Sequence, residues 1–320
     1  MQIEVPPAAR GGLAGLPDGP REYHGFYRTP RLRWWHPVAA LLLFLVCWGL
    51  AVLGATVVAV LYEVLAGGAE LDDLAQGLET PALFLANNIG IALAVPAALL
   101  AHALVFGQRP GWLFSIHGRF RWALLGRVLL LAALVHAVAL AAWLLVNGTP
   151  EGMRVRPDTW FLLAAVLLTT PLQAAGEEVA FRGLGTRIVG AWFTSTAVGL
   201  VAATATTTLA FVLLHGAQDL WLNVFYTCLA LAASVLTWRT GGLEAAIALH
   251  VVVNLTTMLF LPFLGLAGFS DRGAGTGGAQ AAVQVAAVLV TMALVGWQAR
   301  RSGLPVRSGP LPLPAPAARS

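Results

Sequence analysis

Apolar residues in this chain gather into long unbroken stretches, with neither the three-to-four-residue spacing of an amphipathic helix nor the alternation of a half-buried strand. A helix rises 1.5 Å per residue, so about 20 apolar residues cross roughly 30 Å of hydrocarbon. Eight segments reach that length, at 37–62, 82–106, 122–147, 159–181, 194–215, 220–238, 243–264 and 278–298. The pattern predicts an all-α polytopic transmembrane helix bundle of about eight spanning helices over residues 37–298. An Arg-containing N-terminal arm, 1–36, precedes it and a Pro-rich tail, 299–320, follows. Residues 5–20 and the tail are Pro- and Gly-rich and are expected to be flexible. The arm is too long and polar for a secretory signal, so the first span is expected to be retained.

Composition agrees with this class and excludes others. With 58% hydrophobic and 11% charged residues, the 320-residue chain does not describe a soluble protein. All 19 basic residues are Arg, and the net charge of +4 is carried by loops and termini. That charge is a topology signal and gives no reason to expect a nucleic-acid partner. Sixteen Arg fall in the N-terminal arm, the even-numbered connections (Arg182 and Arg187 among them) and the tail. The other side holds Arg154, Arg156 and Arg272, and collects Glu63, Glu70, Asp72, Asp73, Glu79, Glu151, Asp158, Asp219 and Asp271. Both termini are therefore expected in the cytoplasm. Cys47 and Cys228 sit in apolar segments, which leaves no disulfide framework or thiolate metal site. GAGTGG, 273–278, lacks the Lys and preceding strand of a phosphate loop and is expected to be a flexible external loop.

Ionisable side chains at bilayer depth cost at least about 2.5–3.5 kcal/mol each, so those inside spans call for partners. GEEVAFRG, 176–183, ends an apolar run with three of them. Successive helical residues point about 100° apart, so Glu177 and Glu178 face different ways. Glu178 and Arg182 have the i, i+4 spacing of an ion pair, which leaves Glu177 free to meet another helix. Equally, the helix ends here and both carboxylates reach water. In TTTLAFVLLHG, Phe211 and His215 share a face, and in ALHVVVNL so do His250 and Asn254. An imidazole serves as base, hydrogen-bond partner or ligand, and the plainer reading of each is a hydrogen bond between helices. His102 and His136 have no polar companion at helical spacing and are expected to be packing or hydrogen-bonding residues. Asn87 and Asn88 either bond a neighbouring helix or line a cavity. Glu244 opens a helix, suits its positive end and is given no catalytic role.

Glu-Glu-x-x-x-Arg, Phe-x-x-x-His and His-x-x-x-Asn, in that order on separate spans, resemble the membrane family of CAAX proteases and bacteriocin-processing (CPBP) enzymes, relatives of the type II CAAX prenyl endopeptidases. The motifs here are EEVAFR (177–182), FVLLH (211–215) and HVVVN (250–254), and the resemblance covers about 159–262. It implies an intramembrane endopeptidase with a cavity open to the cytoplasmic side. Carried over, Glu177 is the base that activates water, assisted by His215. His250 and Asn254 stabilise the oxyanion, and Glu178 with Arg182 braces the helix. The resemblance leaves zinc open: either His215, His250 and Glu177 hold one, with Glu178 as rival base, or a metal-free glutamate mechanism uses the same residues.

The substrate is expected to be a membrane-proximal peptide bond in a peptide or membrane protein, and the location a bacterial plasma membrane. The rivals are a proton- or ion-coupled transporter, which requires broken helices in two corresponding halves, and a catalytically silent immunity or scaffold protein. One piece of geometry resists convergence. A straight helix puts Glu177 about 27 Å from the external end of its span and His215 roughly 30 Å from the internal end of its own. For them to meet, residues 184–199 must lie along the interface or re-enter, or Pro171 and the Gly-rich joints must bend the spans.

Overall fold

The computed structural model describes residues 15–310, which form helices and connections with two isolated bridges between them. Among the described residues, eight helices are long and apolar enough to cross a membrane: α1 His36–Gly67, α2 Pro81–Phe106, α3 Trp122–Asn147, α4 Thr159–Gly190, α5 Thr196–His215, α6 Leu220–Thr240, α7 Glu244–Leu264 and α8 Gly278–Arg301. Their outer faces carry large exposed apolar side chains such as Leu50, Leu130 and Leu145, as expected of surfaces solvated by lipid. Short helices at Leu71–Ala75 and Pro110–Phe114 sit in connections.

α7 is the axis of the bundle. It is buried continuously from Glu244 to Val253 and packs against α3, α4 and α6. Its first residue, Glu244, receives two hydrogen bonds from the Arg121 guanidinium, at 2.9 and 2.6 Å, and one from the Arg121 backbone N–H at 2.9 Å. That bidentate pair locks the start of α3 to the start of α7. α2 packs against α1 and α4 and breaks at Leu93, shortly before Pro96, whose ring cannot continue the backbone ladder. Gly176 permits the α2–α4 approach, since a Cβ there would lie 2.3 Å from the Ile91 carbonyl oxygen.

The fourth span departs from expectation. It does not end at residue 181 but widens into a π-helical turn over Val179–Gly185 and continues to Gly190. Arg182 and Arg187, read as connection charges, lie inside this helix and are fully buried. Arg182 is offset by Glu178, while the Arg187 guanidinium lies 4.0 Å from the Tyr23 ring centroid and 5.0 Å from that of Phe26. Those rings stabilise the cation through their negative faces.

The aromatic cage comes from the N-terminal arm, which is packed from Leu16 onward. Tyr23 donates to the Leu113 carbonyl, and the Tyr27 hydroxyl meets His102 Nδ1 at 2.8 Å. Burial raises both phenols above their usual range, so both remain neutral. The tail joins the same layer. The Arg21 N–H donates to Ser308 Oγ at 3.1 Å, the Ser308 N–H to the Arg21 carbonyl at 2.9 Å, and Arg307 Nε to Glu22 at 3.3 Å. The expected flexibility thus does not extend to the described parts of arm and tail, and its remainder lies outside the described residues. GAGTGG is likewise tied down, with the Gly275 N–H donating to Asp219 at 2.8 Å.

Candidate active site

The geometry starts at the π turn of α4. One turn of wider helix directly after Glu178 keeps Glu177, Glu178 and Arg182 on the inner side, a distortion often found at functional sites. Arg182 Nη1 donates to Glu178 Oε1 at 3.0 Å, the expected i, i+4 pair, with both side chains fully buried. The guanidinium also lies 4.6 Å from the Phe211 ring centroid, which explains Phe211 as a partner for a charge.

His250 sits between the two glutamates. Its Nδ1 is 2.7 Å from Glu178 Oε1, so that nitrogen carries hydrogen, and its Nε2 is 3.3 Å from Glu177 Oε2. Glu177 Oε1 accepts from Gln173 Nε2 at 2.7 Å, whereas its buried Oε2 makes no hydrogen bond. Gln173 Oε1 in turn accepts from Asn254 Nδ2 at 2.9 Å. Sequence reasoning missed Gln173, although it lies four residues before Glu177 on one helical face. His215 donates from Nδ1 to the Phe211 carbonyl at 2.8 Å, which leaves its Nε2 as an acceptor.

These groups border a cavity of about 840 Å³, lined by Gln173, Glu177, His215 and Asn254 together with Tyr226 and Arg272. Neither Tyr226 nor Arg272 carried a spacing signal. The Tyr226 ring packs at a tilt against His215, with centroids 4.1 Å apart, and Arg272 comes from the loop between α7 and α8. Glu178, Arg182 and His250 lie behind the wall, with His250 only 1% exposed. Asn87 and Asn88 both line the cavity, and Asn88 also bonds α4 through Thr169 and Thr170. His102 and His136 stay outside it, His102 Nδ1 bonded to the Tyr27 hydroxyl of the arm and His136 Nδ1 to the Ala132 carbonyl one turn back.

The extension of α4 narrows the depth conflict. Measured from Gly190, Glu177 lies about 20 Å along α4, and His215 about 29 Å along α5 from Thr196. Side chains lean toward the N-terminus of their own helix. In this antiparallel pair Glu177 therefore leans outward from Gly190 and His215 leans back toward it.

The three residues considered for zinc fit it poorly. His250 and Glu177 are adjacent, but His215 does not complete the set, and among the described residues no group of three or more His, Cys, Asp or Glu is placed to hold a metal ion.

Residues 157–256 match the family described as Rce1-like, type II CAAX prenyl endopeptidase. The matched segment holds α4 to the middle of α7 and with them all six site residues. No curated protein and no solved structure matches the chain.

Proposed function

We propose that this chain, whose residues 157–256 match the Rce1-like type II CAAX prenyl endopeptidase family, is an intramembrane endopeptidase that hydrolyses a membrane-proximal peptide bond. The supporting observation is the place of Glu177 on the cavity wall with Gln173, His215 and Asn254, its Oε2 unbonded and 3.3 Å from His250 Nε2.

His250 Nε2 stands 3.3 Å from Glu177 Oε2, close enough to orient the carboxylate. Glu177 accepts a proton from water as the water oxygen bonds to the scissile carbonyl carbon and the carbonyl electron pair moves onto oxygen. Asn254, which lines the cavity, has a second amide hydrogen beyond the one used by Gln173 and offers it to that oxyanion. His250, behind the wall with Nδ1 on Glu178 and Nε2 beside Glu177, positions the base. The proton passes to the leaving amine as the C–N bond breaks. His215 Nε2 accepts a hydrogen bond from the same water. Glu178 and Arg182 act by positioning, since neither reaches the cavity.

The test is cleavage of a peptide library by the purified chain in detergent, beside Glu177→Gln. The variant keeps the Gln173 hydrogen-bonding shape but not the base, and cleavage should disappear. Equal cleavage by both proteins would remove this site from the reaction.

A further inference from the structure

The charged side chains on the cavity wall are Glu177, Asp271 and Arg272. Glu177 is the proposed base, and Asp271 turns back into its own loop, where its Oδ1 accepts from the Gly273 N–H at 2.8 Å. Arg272 is the cation left over. Among the described residues no carboxylate stands within ion-pair distance of it. It also lies beyond the matched segment 157–256, so the family match does not account for it.

The loop holds this side chain in place. Arg272 Nη1 donates to the Phe269 carbonyl at 2.8 Å and to the Asp271 carbonyl at 3.2 Å. The Arg272 carbonyl accepts from the Gln218 N–H at 2.8 Å, which ties the loop to the α5–α6 connection. Glu79 accepts from the Phe269 and Ser270 N–H groups at 3.0 and 2.7 Å, and Phe269 packs edge-on against Phe84 of α2. Nη1 is thereby occupied, which leaves Nε and Nη2 as a two-pronged donor. Such a fork takes a carboxylate through two parallel hydrogen bonds, and a guanidinium already fixed loses little further freedom when it does so.

Two neighbours extend the donor. The Tyr226 hydroxyl, on a side chain only 8% exposed, lies at hydrogen-bonding range of the guanidinium. A phenol oxygen facing a guanidinium accepts, so its own hydrogen is left to donate. Gln284 of α8 also lines the cavity, and its buried Oε1 has no hydrogen-bond partner. A guanidinium fork, a phenol O–H and an unmet amide oxygen suit a peptide segment that brings a carboxylate and backbone N–H groups.

Reach connects these groups to the chemistry. The Tyr226 and His215 ring centroids are 4.1 Å apart. With the length of the phenol and one hydrogen bond added, the guanidinium stands about 10 Å or less from the His215 ring. An extended chain advances about 3.3–3.6 Å per residue, so that distance is spanned by about three residues.

We infer that Arg272, with Tyr226 and Gln284, forms a carboxylate-binding subsite that selects substrates carrying a negative group within about three residues of the cleaved bond. The inference rests on the peptidase reading and deepens it. The carboxylate comes from an Asp or Glu side chain or from the C-terminus of the peptide.

Two sets of fluorescein-labelled peptides distinguish these sources. One set exchanges Asp for Asn at successive positions, and the other compares a free with an amidated C-terminus. Binding is measured by fluorescence anisotropy on the full-length Glu177→Gln chain in detergent, and kcat/KM on wild type. In one set the carboxylate member should bind and be cleaved about 10–100-fold better, as for one charge-assisted hydrogen-bonded contact. A preference in the Asp set names a side chain, and one in the terminal set names the chain end. Arg272→Gln should erase the preference, and Arg272→Glu should transfer it to peptides with Lys at the same place, which a disordered loop cannot mimic. Equal treatment of both members in both sets overturns the inference, as does a preference that survives Arg272→Gln. Carboxylate-dependent binding without cleavage by wild type removes the peptidase reading and leaves the subsite standing. Cleavage without carboxylate preference does the reverse.

Discussion

Gly176→Ala tests the geometry of the site from outside it. A Cβ at this position would stand 2.3 Å from the Ile91 carbonyl oxygen, 2.9 Å from its carbon and 3.0 Å from the Ala92 Cα. All three are backbone atoms of α2, so no rotamer relieves the contact. Ordinary contact begins near 3.4 Å, and α4 must therefore move away from α2 by about 1 Å, carrying Glu177 and Glu178 with it. Overpacking of this kind costs about 1–3 kcal/mol, against the roughly 0.5–1 kcal/mol that alanine gains over glycine in a helix. A misplacement of about 1 Å at a reacting group lowers rates by about 100-fold. Thermal unfolding in detergent and cleavage of the best library peptide read the two effects separately. The expected result is a modest fall in Tm with a loss of cleavage far larger than the unfolded fraction explains. Gly126→Ala is the control, because nothing lies within 4 Å of the place its methyl group would take. If Gly176→Ala matches wild type in both Tm and rate, close α2–α4 packing does not set the site.

Arg121→Met should destabilise the bundle by about 3–5 kcal/mol, because it leaves Glu244 buried without its partner; the double variant with Glu244→Leu should recover much of the loss in chemical denaturation. Asn254→Ala should lower kcat by about 10²–10³-fold with little change in Tm, as for the loss of one oxyanion donor; a changed KM with unaltered kcat would instead mark it as a binding residue. Burial holds the His24 pKa below its ordinary value, the Glu22 carboxylate offsetting only part of this. Unfolded arm then binds more protons than docked arm as pH falls below about 6.5, so docking weakens on acidification. Limited proteolysis should cut the arm faster at low pH, and His24→Gln should remove that dependence.

The spans were legible because lipid imposes a length, and seven of the eight end within a few residues of their apolar runs. α4 hid its end for a physical reason. VAFRGLGTRIVG contains two Arg and three Gly, the composition of a connection, and what makes it helix is supplied by rings from residues 23 and 26, far upstream. The Glu178–Arg182 pair was readable because it is local. The bridging role of His250 was not: Glu177 and Glu178 do diverge around the helix, but one imidazole has a nitrogen for each. Gln173 lay within reach of helical spacing, whereas Tyr226 and Arg272 join the cavity through tertiary folding alone.

The pairing of Arg21 with Ser308 also sets an order of events in biosynthesis. Arg21 leaves the ribosome 287 residues ahead of Ser308, so the cage around Arg187 lacks its outer clasp until the chain beyond α8 has been made. A chain cut short inside α8 would keep every residue of the cavity and yet leave the arm unlatched.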